Sequence, residues 1–217
     1  MTLIQSLYSR TIKVASLSAV TVLATSQAHA HHVMDGEMPV TFTQGLLSGL
    51  GHPVIGIDHL AFIIGVGLLA AVAGFGIALP LLFVLAMCGG LAIHFMSFNL
   101  PAPELLIAGS VLLIGIAIAL RTKRSGSWIE GGLFAFAGVA HGYAFAESIV
   151  GAEQSPLAAY IIGLVVIQSA IAVIAYGLGR LLVSDTFVLP AATARVAGLA
   201  IATTGAYFVA TATGLFA

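Results

Sequence analysis

Residues 52–75 read HPVIGIDHLAFIIGVGLLAAVAGF, and the two ends of that stretch obey different rules. From Leu60 onward no charged side chain occurs. The run approaches the length of about 20 apolar residues that a membrane span requires. Ahead of it stand His52, Asp58 and His59. Ionisable residues within a span are costly to bury in lipid, so they signal function before packing. His52 and His59 are seven residues apart. At about 3.6 residues per turn, a continuous helix would put both on one face, with Asp58 roughly 8 Å deep.

The whole chain supports a membrane setting. Its 217 residues are 60% hydrophobic and only 7% charged, whereas soluble domains carry about 25% charged residues. So few charges cannot cover a soluble surface, and lipid must be the solvent. The apolar runs are continuous and do not alternate with period two, which argues against a β-barrel. The predicted fold is therefore all-α, a polytopic transmembrane helix bundle. A net charge of −1 offers nothing to a nucleic acid. Cys88 has no partner for an intrachain disulfide and reads as a small buried hydrophobe. No G-x-x-x-x-G-K-[ST] phosphate loop is present, so ATP hydrolysis by that route is excluded.

Residues 1–30 read as a signal peptide: Arg10 and Lys13, then the short apolar run Val14–Ala24, then the small-x-small site Ala28-His29-Ala30. Cleavage after Ala30 would leave a short His/acidic periplasmic segment, 31–43, and a six-helix domain, 44–217. A Gly-rich approach, Gly45 to Gly51, leads into the first expected span, Pro53–Phe75. The others are Ile77–Phe98, Glu104–Leu120, Trp128–Val150, Pro156–Leu182 and Ala191–Phe216. Pro53, Pro103 and Pro156 fall at span starts, where a missing N–H costs little. The many glycines read as close helix packing in lipid.

Orientation follows from the basic residues. Arg121, Lys123 and Arg124 separate the third and fourth spans, and Arg180 and Arg195 flank the turn between the last two. Placing these loops in the cytoplasm puts both mature termini in the periplasm of a bacterial-type inner membrane. A cleaved signal delivers the N-terminus to that same side.

With this topology His52, Asp58, His59, His94, Glu104, His141 and Glu147 all fall in the periplasmic half. Scattered structural polar residues have no reason to share a depth. Imidazole and carboxylate suit Ni²⁺, Co²⁺, Zn²⁺ and Cu²⁺. The mature terminus adds His31, with its free α-amine, and His32 as capture ligands. His94 and Glu104 lie near the boundary, where water alone can solvate them; Glu147 can face the headgroups. Gln168 reads as a helix–helix hydrogen bond, and Trp128 and the tyrosines as interface anchors or packing.

These residues resemble the HupE/UreJ family of nickel permeases and urease/hydrogenase accessory proteins, over most of the mature chain. His52 to His59 looks like that family's H-x5-D-H signature in the first mature span. His141-Gly142-Tyr143-Ala144-Phe145-Ala146-Glu147 is similar to its second signature, with Phe145 standing where the family has a glycine. Pro101-Ala102-Pro103-Glu104 also looks like the family. The resemblance implies Ni²⁺ import for nickel enzymes, Co²⁺ as a second cargo, no required cofactor, and metalloenzyme maturation machinery as a partner. The residues alone give a His/carboxylate metal site and do not give nickel.

The leading expectation is a secondary permease, not an enzyme. A non-transporting metal-binding accessory protein is the second reading. An intramembrane metal-dependent enzyme is the third, weakened because H-E-x-x-H is absent. The inner half holds few polar residues, so the exit path has no sequence signature.

Overall fold

The computed structural model describes residues 37–120, 128–182 and 191–215. The expected signal peptide, His31, His32 and the basic residues Arg121, Lys123 and Arg124 lie outside the described residues. Among the described residues the fold is entirely helical, with seven helices: α1 Phe42–Ile55, α2 Ile57–Val72, α3 Ala78–Phe95, α4 Pro103–Ala119, α5 Trp128–Glu147, α6 Gln154–Leu182 and α7 Ala191–Ala212.

The helix that sequence reading did not anticipate is α1, in place of a Gly-rich approach. Its start is fixed by a capping box. The Thr41 hydroxyl accepts from the Gln44 N–H at 3.2 Å, and Gln44 Oε1 accepts from the Thr41 N–H at 3.1 Å. Two otherwise orphaned donors are thereby satisfied. Glycine weakens an isolated helix by about 1 kcal/mol, but here it permits an approach that offsets the cost. A Cβ on Gly49 would fall on the Tyr160 carbonyl, and one on Gly45 on that of Pro156. Pro53, expected at a span start, sits instead in the last turn of α1.

The first expected span is consequently two helices, bent by 78° at Gly56. Gly56 takes an extended conformation, φ −72° and ψ 98°. Its N–H still donates to the His52 carbonyl at 2.9 Å, and its carbonyl accepts from Leu60 at 2.8 Å. The backbone therefore turns with both Gly56 polar groups satisfied, which an apolar setting requires. A side chain would not fit: a Cβ on Gly56 would come 2.9 Å from the His59 ring.

By length and apolar character α3, α6 and α7 can each cross a membrane, and α1 with α2 can do so as one bent span. The apolar α4 is shorter, at 17 residues. Six straight spans was thus too simple an expectation for the first of them. The most intimate pairs are α4 with α7, α3 with α5, and α6 with both α1 and α2. Gln168 is buried on α6 and donates to the Met87 sulfur on α3 at 2.7 Å, the helix–helix bond expected of it. Trp128 is almost fully exposed at the start of α5.

Candidate functional site

The break at Gly56 determines the site. It ends α1 just after His52 and begins α2 just before His59, so the two imidazoles meet across a bend and not along one helix face. Their ring centroids are 6.0 Å apart, edge to face. Asp58 opens α2, where its Oδ1 accepts from the His59 N–H at 2.8 Å. A carboxylate in a helix's first turn also complements the positive end of the helix dipole.

His141 on α5 completes a set of three histidines. His59 Nδ1 and His141 Nδ1 are 2.9 Å apart, and all three rings are buried. The proton positions can be assigned from the network. The Ser110 hydroxyl donates to the Ile107 carbonyl at 2.7 Å, so its oxygen accepts from His141 Nε2–H at 3.0 Å. His141 Nδ1 then holds a lone pair and accepts from His59 Nδ1–H. Around His52 the same accounting applies. The Tyr160 hydroxyl donates to the Phe145 carbonyl at 2.9 Å and accepts from His52 Nδ1–H at 2.8 Å. Ser148 sits beside this bond, 3.1 Å from His52 Nδ1 and 3.0 Å from Tyr160 Oη. That assignment protonates His52 at Nδ1.

Aromatic rings hold the imidazoles in place. Phe145 stacks on His59 with centroids 4.1 Å apart, and Phe62 stacks on His141 at 4.4 Å. Phe145 is thus part of the site and fully buried.

The remaining expected residues form a separate group. His94 is in the last turn of α3, against Tyr143 at 4.5 Å between rings, and its buried Nδ1 has no hydrogen-bond partner. Glu147 ends α5 and interacts electrostatically with both His94 and Glu104. Both carboxylates are exposed. A cavity of about 290 Å³ lies here, lined by His94, Ser97, Asn99 and Tyr143 among others. On α5, Tyr143 points roughly 200° away from His141, so this cavity faces a different neighbour. The residues expected to share a depth are therefore divided between a buried histidine set and a rim of half-buried His94 with exposed Glu104 and Glu147. Among the described residues no three His, Cys, Asp or Glu side chains converge on one point.

Sequence reading missed Ser110, Ser148, Phe145 and Tyr160. Ser110 carried a signal, as a polar side chain in the middle of an apolar span. Tyr160 was expected as an anchor or packing; it is fully buried and orients His52.

Comparison with known proteins adds a family. A family profile described as HupE / UreJ protein matches residues 19–208. A curated relative, Protein HupE of Rhizobium leguminosarum bv. viciae, is 35% identical over 101 residues, 45% of this chain and 49% of that protein. The match thus spans about half the length of that relative. No solved structure matches.

Proposed function

This chain belongs to the HupE/UreJ family, and from that premise we propose that it is a secondary permease for a divalent transition metal, nickel first and cobalt second. The cargo moves from periplasm to cytoplasm through the inner membrane. The observation that carries this reading is the buried His59–His141 pair, supported by Asp58 and His52 at the helix break.

A permease must release its cargo, so a loosely preformed site suits the task better than a closed cage. The 2.9 Å between the two Nδ1 atoms is a hydrogen-bond distance. Two imidazole nitrogens suit nickel, cobalt, copper and zinc alike, and the preference for nickel comes from the family. An ion entering between the rings would take both Nδ1 lone pairs as the His59 proton shifts from Nδ1 to Nε2 of the same ring, and the Asp58 charge offsets part of the cost of removing the ion from water. His94, Glu104 and Glu147 form an outer rim that attracts the cation, and His31 and His32 capture it first.

Uptake into proteoliposomes containing only this protein tests the proposal. Nickel should accumulate inside when cysteine labelling places Thr122 in the lumen and Ser155 outside. Binding without uptake would favour the accessory reading. The orienting bond to His52 gives a finer check. Tyr160→Phe should raise the nickel concentration for half-maximal uptake by about tenfold, the usual scale for losing a group that orients a metal-ligating histidine. An unchanged concentration dependence in stable Tyr160→Phe protein would remove His52 from the ligand set.

A further inference from the structure

A second cavity, of about 250 Å³, lies between α2, α4 and α5. Among the described residues its lining is apolar save for Ser110. The Ser110 hydroxyl is already committed within the protein: it donates to the Ile107 carbonyl and accepts from His141. A charged or hydrated ligand entering the cleft would give up water and find no partner there.

The cleft opens sideways. Leu113 on α4 and Leu133 on α5 form its mouth, 67% and 62% exposed. Leu113, Ile116 and Leu120 follow one another along the outside of α4 at helical spacing, and Phe136 continues the exposed face of α5 beyond Leu133. In a membrane bundle such faces are covered by acyl chains, which are as apolar as leucine. The mouth thus joins the lipid-covered surface, whereas the inner walls at Leu69 and Ile114 are 5% and 4% exposed. From Ser110 to Ala117 the cleft runs about 10 Å along α4, at about 1.5 Å per residue. Spreading about 250 Å³ over that length gives a channel roughly 5–6 Å wide, room for a single file of methylene groups at carbon contact distances of about 4 Å. Phe75 and Phe134, with ring centroids 6.3 Å apart, wall the end away from His141.

We propose that this cleft binds one acyl chain of a bilayer lipid. Left empty, its lining atoms would lose their contact partners, and its apolar walls disfavour water. A chain from the adjoining lipid enters sideways without leaving an apolar medium. The bound chain also backs the histidine site. Phe62 stacks on His141, Ser110 accepts from its Nε2–H, and both are walls of the cleft. The chain therefore packs against the two side chains that hold this ring from behind.

Full-length protein in phosphatidylcholine vesicles tests the site, with a fraction of the lipid carrying a photoactivatable diazirine on one acyl chain. After irradiation, peptide mapping should find label on Leu69, Ile114 and Phe62, buried residues that lipid reaches through the cleft. Ala117→Phe fills the cleft from within. Leu113→Trp crowds its mouth from an exposed position, and keeps the test open if the larger side chain at Ala117 disturbs folding. Each should reduce label on these three residues by at least about tenfold, the effect of excluding about two buried methylene groups. Label on the exposed Leu199 of α7 should stay at the wild-type level. Label confined to Leu113 and Leu133 would overturn the proposal, and protein, either another part of this chain or a second copy, would then fill the cleft. Label on Leu69, Ile114 and Phe62 that neither variant reduces would overturn it too, because the lipid would be reaching them by another path. Metal transport plays no part in these readings, so failure of the permease reading leaves the lipid site standing, and the reverse.

Discussion

Asp58→Asn protein reaches the membrane at wild-type abundance and takes up no nickel above the background of protein-free liposomes. Structure separates the two jobs of this side chain. As an acceptor it holds the His59 N–H at 2.8 Å, and asparagine retains an oxygen in that place. As a charge it sits at the break between α1 and α2, beside the buried histidines, where asparagine supplies nothing. A divalent ion leaving water for a low-dielectric bundle needs that charge, so folding survives and transport does not. His59→Ala and His141→Ala should give the same loss, each removing one half of the Nδ1 pair. Gln168→Ala is the comparison. It removes a buried bond to Met87 far from the break, and should cost about 0.6–2 kcal/mol of stability with uptake reduced only in proportion to protein level. Stable Asp58→Asn and His59→Ala proteins that move nickel at the wild-type rate would make the helix break purely structural.

The second large effect is on assembly. A Cβ on Gly142 would fall on the Met87 carbonyl oxygen and come 2.7 Å from the carbonyl carbon and 2.9 Å from Cα. These are backbone atoms of α3, which no rotamer change can move aside. Gly142→Ala should therefore destabilise the bundle by about 3 kcal/mol, the upper range for overpacking, and Gly142→Val should prevent stable assembly. Gly132 lies on the same helix with nothing within 4 Å of its would-be Cβ. Gly132→Ala should be neutral or stabilising by up to about 1 kcal/mol, from helix propensity alone. Unfolding in mixed detergent micelles, followed by the accessibility of Cys88, reads both. Equal behaviour of the two variants would mean that α3 and α5 are not closely apposed at Gly142.

The sequence alone determined the helical class, the helices from α3 to α7 within a few residues, and the family. Hydropathy and spacing are local properties, and lipid enforces hydrogen-bonded helices on any long apolar run. His52, Asp58, His59 and His141 stood out for a related reason: an ionisable side chain is conspicuous in such an apolar run. What only tertiary structure decided was direction. Helices that are apolar nearly all round carry no stripe to say which face meets which neighbour. Hence the pairing of His59 with His141, 82 positions away, and of His52 with Tyr160, 108 away, could not be read along the chain. Spacing put His52 and His59 on one continuous helix face. The extended backbone of Gly56 instead set them across a 78° bend, because only a glycine there leaves room for the His59 ring. The separation of His94, Glu104 and Glu147 from the buried histidines has the same origin: two residues along α5 turn a side chain to the other side of the helix, and depth in the membrane says nothing about azimuth.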